Sequence, residues 1–106
     1  VPTSTLGLAR ACWAVLEHEV TGILHWTDQG AASWYDFAVA IGEAAYSAGI
    51  LDKVAQVLPI ATADYPTPAS RPTYSLLDCF QSREQLKLNA VHWQKALNEV
   101  MHFVAA

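Results

Sequence analysis

The stretch from Asp64 to Asp78, called the proline loop below, most constrains what this chain can fold into. It holds three prolines, two tyrosines and one arginine, Arg71, between an apolar run and a helical segment. Each proline fixes its own φ and pushes the preceding residue toward extended backbone. The segment is therefore predicted to be a stiff loop. From the residues alone, it is either a rigid connector or a support that holds Arg71 still for a ligand.

Composition limits the classes of protein to consider. The 106 residues have room for one domain and one core, and at 53% hydrophobic and 15% charged they are unusually apolar. Four Trp and four Tyr predict large buried anchors, or a surface that something else covers. A net charge of -4 argues against nucleic-acid binding. No apolar run approaches the ~20 residues of a membrane span, so no membrane partner is expected. Cys12 and Cys79 are expected to be buried, reduced thiols.

Four helices are predicted from apolar periodicity and capping signals. The first covers roughly residues 4–18. The second follows Ser33, with Asp36 completing an acidic capping box and Gly49 ending the helix. Asp78 is expected to cap a short helix from Cys79 to about residue 86. Asn89 is expected to cap the last helix, whose buried stripe is Trp93, Leu97, Val100 and Val104.

Two short segments, residues 23–26 and 57–60, are predicted to be strands on either side of the second helix. A strand, a helix and a second strand in this order predict a small parallel pairing with a right-handed crossover. Pro59 cannot donate to a ladder, which places the second segment near an edge. The predicted fold class is therefore α/β: a small helix-rich lobe of about four helices with a short two-stranded parallel sheet, covering residues 1–106 as a single domain.

The chain shows no pattern typical of catalysis or cofactor binding. The four histidines have no metal-ligand spacing, and the two cysteines lie far apart in sequence. No Gly-x-Gly-x-x-Gly or phosphate-cradling lysine motif is present. No tyrosine is followed four residues later by lysine. No catalytic, cofactor-binding or metal-binding residue is therefore expected in this chain.

Several blocks, in order, resemble the C-terminal part of the dTDP-4-dehydrorhamnose reductases, which are extended short-chain dehydrogenases/reductases. Residues 33–38, Ser-Trp-Tyr-Asp-Phe-Ala, are similar to a helix start in that family. Residues 65–69, Tyr-Pro-Thr-Pro-Ala, with Arg71-Pro72 and residues 75–78, are similar to its long proline loop. Pro2-Thr3, residues 22–25 and Trp93 with Ala96-Leu97 extend the resemblance over nearly the whole chain.

The resemblance implies a role within a larger enzyme. That family reduces dTDP-4-dehydro-L-rhamnose to dTDP-L-rhamnose with NADPH or NADH in the cytoplasm, and its Rossmann domain holds the cofactor and a Tyr-x-x-x-Lys pair. The smaller C-terminal lobe closes over the nucleotide sugar. This chain is expected to be that lobe without the Rossmann domain, and to be inactive alone. Whether the parent binds Mg²⁺ or forms a homodimer stays open.

The resemblance also selects candidate substrate-binding residues: Arg71, Trp34 and Tyr74. Arg71 has the planar guanidinium that pairs with phosphate oxygens, although a structural arginine bonded to loop carbonyls is the alternative. Trp34 begins a helix, where it either reaches the sugar or packs in the core or at a domain interface. Tyr65 and Tyr74 are hydroxyl donors or packing residues. Two rival functions remain: a non-catalytic regulatory module, and a lobe of a reductase or epimerase for another nucleotide sugar.

Overall fold

The computed structural model describes residues 1–106 and contains the four helices that the sequence predicts. They are α1 (Thr5–Glu17), α2 (Trp34–Ser47), α3 (Phe80–Leu86) and α4 (Trp93–Ala105). One 3-10 turn, Thr62–Asp64, lies in the long connection between α2 and α3. None of the helices combines the length and apolar character needed to cross a bilayer.

The starts of α1 and α2 are fixed by side-chain caps. Ser4 Oγ accepts a hydrogen bond from Gly7 N at 3.0 Å, and Asp28 Oδ2 accepts one from Ser4 N at 3.1 Å. The predicted capping box of α2 is present: Ser33 Oγ accepts from Asp36 N at 3.0 Å, and Asp36 Oδ2 accepts from Ser33 N at 2.9 Å. These bonds satisfy N–H groups that a helix start leaves unpaired.

The two later helices begin differently from the sequence-based expectation. The N-cap of α3 is Cys79, while Asp78 Oδ1 accepts from Phe80 N at 3.0 Å. The N-cap of α4 is His92 rather than Asn89. The reason is that backbone bonds hold the chain on both sides of His92 in an isolated parallel bridge: Gln29 N donates to Val91 O, and Trp93 N donates to Gln29 O. The helix begins only after that extended residue.

The helices pack as two pairs, α1 with α3 and α2 with α4. The first pair buries Ala11, Ala14 and Leu86. In the second pair Ala45 of α2 and Trp93 and Ala96 of α4 are buried, and Trp93 meets Phe37 of α2 edge-on. Of the predicted stripe of α4, Trp93 is buried and Leu97 is half-buried, whereas Val100 and Val104 are exposed, so the stripe is correct only over its first half.

The predicted two-stranded sheet is not formed: the structure contains no strand. The segment 23–26 docks on helices instead, because Leu24 and Trp26 pack on the α1–α3 core and His25 N donates to Ser82 Oγ at 3.2 Å. Residues 58–60 are exposed, and Pro59 has no N–H with which to start a ladder. Two short segments alone make a marginal sheet, which is consistent with this outcome.

The two cysteines differ in burial. Cys79 is buried, as predicted, whereas Cys12 is exposed and the prediction that it is buried is wrong. The core face of α1 runs through Ala11 and Ala14, and Cys12 lies about 100° around the helix from its neighbour. Both cysteines are free thiols.

The chain is unusually open for its size. Only nine of the 106 residues are buried, and the accessible surface is 8359 Å². A compact monomer of 11.6 kDa has an accessible surface of about 5,800 Å². The radius of gyration is 16.2 Å, whereas about 13 Å is typical of this length. The helices therefore form a flat frame with much apolar surface uncovered.

Candidate functional site

Trp34 is the candidate residue that this chain holds most firmly. It is the first residue of α2, directly after the Ser33 cap, and its side chain is 85% exposed. Its ring lies 6.2 Å from that of Phe37, which in turn meets Trp93 edge-on at 6.3 Å. Because Trp93 is only 5% exposed, this chain of rings ties an exposed tryptophan to the buried part of the frame.

The charge beside Trp34 decides what it is suited to bind. A helix N-terminus attracts anions, but here the carboxylate of Asp36 already occupies that position as part of the capping box. A second anion at the same place would meet a like charge. Trp34 is therefore better suited to stacking on an uncharged ring, such as a sugar or a base, than to binding a phosphate.

Arg71 and Tyr74 both lie exposed in the proline loop, and Tyr74 is 76% exposed. Tyr65, the second tyrosine of the loop, is exposed as well. The hydrogen bonds of this loop are local: Thr67 Oγ1 donates to Ala69 O at 3.1 Å, for example. At the end of the loop the Asp78 carboxylate accepts from Phe80 N at 3.0 Å, which is again a local bond.

The structure does not join the three candidate residues. No hydrogen bond and no ring contact links Trp34 to Arg71 or to Tyr74; the aromatic neighbour of Trp34 is Phe37. The segment that follows α2, before the proline loop begins, turns back onto that helix, since a Cβ added to Gly42 would lie 3.1 Å from Val54 Cγ1. One candidate is thus positioned by the frame and two by the loop.

A groove between α2 and α4 was missed by sequence reasoning. It has a volume of about 380 Å³, and its polar lining residues are Tyr35, Asp36, Glu43, His92 and Gln94. Asp36 and Glu43 are seven residues apart on one helix face, a visible signal, but only the fold adds the first turn of α4. Two carboxylates make this groove unsuited to a diphosphate. No cluster of three or more His, Cys, Asp or Glu residues with a geometry able to hold a metal ion is present.

Comparison with known proteins identifies the chain's relatives. A family model described as RmlD substrate binding domain matches residues 1–105. The dTDP-4-dehydrorhamnose reductase of Aggregatibacter actinomycetemcomitans is 42% identical over 79 residues, which are 74% of this chain and 27% of the relative. The enzyme of the same name from Escherichia coli (strain K12) is 30% identical over 89 residues, covering 84% of this chain and 30% of the relative.

A third relative carries a different name. The spore coat polysaccharide biosynthesis protein SpsK of Bacillus subtilis (strain 168) is 34% identical over 100 residues, covering 94% of this chain and 32% of the relative. The chain thus spans between 27% and 32% of the length of these three proteins. No solved structure matches it at a significant level. With the match over residues 1–105 and these identities, the chain belongs to the RmlD substrate-binding-domain family.

Proposed function

We propose that this chain is the nucleotide-sugar-binding lobe of a dTDP-4-dehydrorhamnose reductase. The observation that carries the proposal is the family match over residues 1–105, supported by relatives that bear that enzyme name. The reaction is the reduction of the 4-keto group of dTDP-4-dehydro-L-rhamnose with NADPH or NADH. The lobe contributes binding and orientation of the sugar nucleotide, and the chemistry belongs to the remainder of the enzyme.

Each exposed candidate residue is suited by its chemistry to a different part of the ligand. Arg71 supplies two parallel N–H donors for the diphosphate, the strongest pairing available to a side chain there. Trp34, beside the Asp36 carboxylate, stacks on an uncharged ring of the ligand rather than on the diphosphate. The Tyr74 hydroxyl donates to, or accepts from, a sugar hydroxyl.

The residues of this chain do not fit the nicotinamide cofactor. A dinucleotide pyrophosphate needs a glycine-rich turn leading into a free helix N-terminus. The N-termini of α1 and α2 are each already occupied by a carboxylate, Asp28 and Asp36, and at the N-terminus of α4 His92 Nδ1 accepts from Gln94 N. The five glycines are dispersed along the chain. The cofactor and the catalytic tyrosine and lysine are therefore assigned to a Rossmann domain outside these residues.

An assay with dTDP-4-dehydrorhamnose and NADPH or NADH tests the proposal. We expect turnover from the full-length polypeptide that carries these residues and none from the 106-residue chain, because the hydride donor has no site here. Oxidation of the cofactor is followed at 340 nm, and the sugar product is identified by mass spectrometry. Turnover by the 106-residue chain alone, or a full-length polypeptide that binds and reduces no sugar nucleotide, would contradict it.

Two other functions are kept as outcomes of the same experiment. The similarity to a spore coat polysaccharide biosynthesis protein supports a reductase or epimerase acting on another nucleotide sugar. The large uncovered apolar surface supports a non-catalytic module that binds a protein partner. Turnover with a different nucleotide sugar identifies the first. Binding of a sugar nucleotide without turnover, in a polypeptide whose Tyr-x-x-x-Lys pair is absent, identifies the second.

A further inference from the structure

Helix α1 carries its large apolar side chains on the face turned away from the core. The buried positions are small, Ala11 and Ala14. On the opposite side Leu6, Trp13 and Leu16 are 56%, 64% and 70% exposed. A helix at a free surface shows the reverse arrangement, with large apolar residues inside and polar residues outside. This outer face of α1, defined by Leu6, Ala9, Cys12, Trp13 and Leu16, is therefore built to be covered.

The spacing on the outer face indicates the form of the contact. Positions 6, 9, 13 and 16 repeat at intervals of three, four and three, which places them in one seam along the helix. Trp13, the largest of them, has its only polar atom satisfied within α1, since Nε1 donates to Glu17 Oε1 at 2.6 Å. Covering the indole ring therefore leaves no donor without a partner. Arg10 and Glu17, of opposite charge, border the seam on one side.

The amount of uncovered surface fits a partner of domain size. The chain exposes about 2,500 Å² more than a compact monomer of its mass. A standard interface takes about 800 Å² from each side, so the excess exceeds one such contact. The relatives are about three times longer than the part that this chain matches. We propose that the outer face of α1 is the surface on which an apolar face of the remaining domain of the same polypeptide docks.

This inference rests on the proposed function, because it takes the chain to be one lobe of a longer reductase. It adds the surface and the residues through which the lobe is attached. Docking there buries the seam of α1 and leaves Trp34 and the proline loop free for the ligand. The outer face thus joins the domains, while Trp34, Arg71 and Tyr74 remain available to bind the ligand.

Cys12 gives a direct measurement of whether the outer face is covered. It lies on that face and is exposed here, whereas Cys79 is buried and serves as an internal reference. Alkylation by iodoacetamide is followed by mass spectrometry of the peptide containing each cysteine. We expect Cys12 to react at least tenfold more slowly in the full-length polypeptide than in the 106-residue chain, with Cys79 slow in both. Equal Cys12 rates would overturn the proposal.

A matched pair of substitutions tests the surface itself. Leu16→Glu places a charge on the outer face, and Leu58→Glu places the same charge at a residue of similar exposure, 68%, outside α1. In the full-length polypeptide we expect Leu16→Glu to restore fast alkylation of Cys12 and Leu58→Glu to leave it slow. Restoration by both variants, or by neither, would contradict docking at this face.

The remaining outcomes distinguish docking by a domain from self-association, and a failure of the docking proposal from a failure of the proposed function. Protection of Cys12 in the 106-residue chain that grows with protein concentration would show that a second copy covers the face, which overturns docking by a domain. Protection in a full-length polypeptide that binds no dTDP-sugar leaves the docking surface standing and overturns the proposed function. Fast alkylation of Cys12 in a polypeptide that does bind and reduce the sugar overturns the docking surface and leaves the proposed function standing.

Discussion

The helical frame and the proline loop are held by different kinds of contact. In the frame, hydrogen bonds join residues far apart in sequence: Asp28 with Ser4, and His25 with Ser82. In the proline loop, every hydrogen bond joins residues within three positions of one another, as between Thr67 and Ala69. The frame is therefore a cooperative unit, whereas the loop owes its stiffness to proline.

This difference has a consequence for the candidate site. Trp34 belongs to the frame and is positioned before any ligand arrives, through the Ser33 cap and Phe37. Arg71 and Tyr74 belong to the loop, and the frame makes no hydrogen bond to either side chain. Ordering them is a cost of binding that the stiff backbone reduces. Substitutions in the two regions should therefore change different measured quantities.

The largest effect is expected within the frame, from a comparison of the two tryptophans whose rings contact Phe37. Trp93→Ala removes a buried ring and should lower the free energy of unfolding by about 3–5 kcal/mol. Trp34→Ala removes an exposed ring and should change it by less than about 0.5 kcal/mol. Denaturant titration followed by far-UV circular dichroism gives both values. Similar losses from the two substitutions would show that Trp34 is part of the core.

A second comparison uses two glycines with positive φ. Gly30 has φ +104°, and an added Cβ would lie 2.8 Å from His92 Nε2 and 3.0 Å from Trp93 Cδ1. Gly22 has φ +94° with nothing within 4 Å. Gly30→Ala should destabilise the frame by about 3 kcal/mol through strain and overlap, and Gly22→Ala by about 1 kcal/mol through strain alone. Thermal and denaturant unfolding measure the difference; equal costs would mean that the bridge at Gln29 readily yields.

The smallest effect on the fold, and a clear effect on binding, is expected at the loop arginine. In the full-length polypeptide, Arg71→Ala should weaken binding of the dTDP-sugar by about 1–3 kcal/mol, or about fivefold to 150-fold in Kd, with unfolding unchanged. Arg83 is the control, because its Nη2 donates to Thr27 O at 3.4 Å within the frame. Arg83→Ala should lower stability and leave the affinity of the folded protein unchanged. Calorimetric titration that finds unaltered affinity for Arg71→Ala would make that arginine structural.

The sequence predicted what local signals determine and failed where distant contacts decide. The Ser33–Asp36 capping box and the turn at Gly49 are local, and α2 begins and ends as they indicate. The start of α4 depends on Gln29, more than sixty residues away. Local signals therefore predicted Asn89 as the N-cap, whereas the N-cap is His92. The strands predicted at 23–26 and 57–60 are absent for the same reason: a strand needs a pairing partner, which no local pattern supplies.

The site shows the same limit. The family resemblance, together with residue type, indicated Arg71, Trp34 and Tyr74 as candidates, and the structure shows all three to be exposed. Their relative placement depends on the loop, whose backbone is stiff but whose hydrogen bonds join only residues close in sequence. The α2–α4 groove is lined by Asp36 and Glu43 of α2 and by His92, which the bridge to Gln29 holds in place, and it had no complete signal in the sequence.

The local bonding of the proline loop makes it a replaceable part. Its C-terminal end leads directly to Cys79, whose Sγ lies 3.6 Å from Thr27 Oγ1, and the segment that precedes it lies against Gly42 of α2 through Val54. Apart from the Asp78 carboxylate, which accepts from Phe80 N at the start of α3, a change of length or residue type in the loop removes no side-chain bond on which the helices depend. The entropic cost of lengthening a loop also grows slowly. Evolution or a protein engineer can therefore exchange the loop to alter the ligand while keeping the frame.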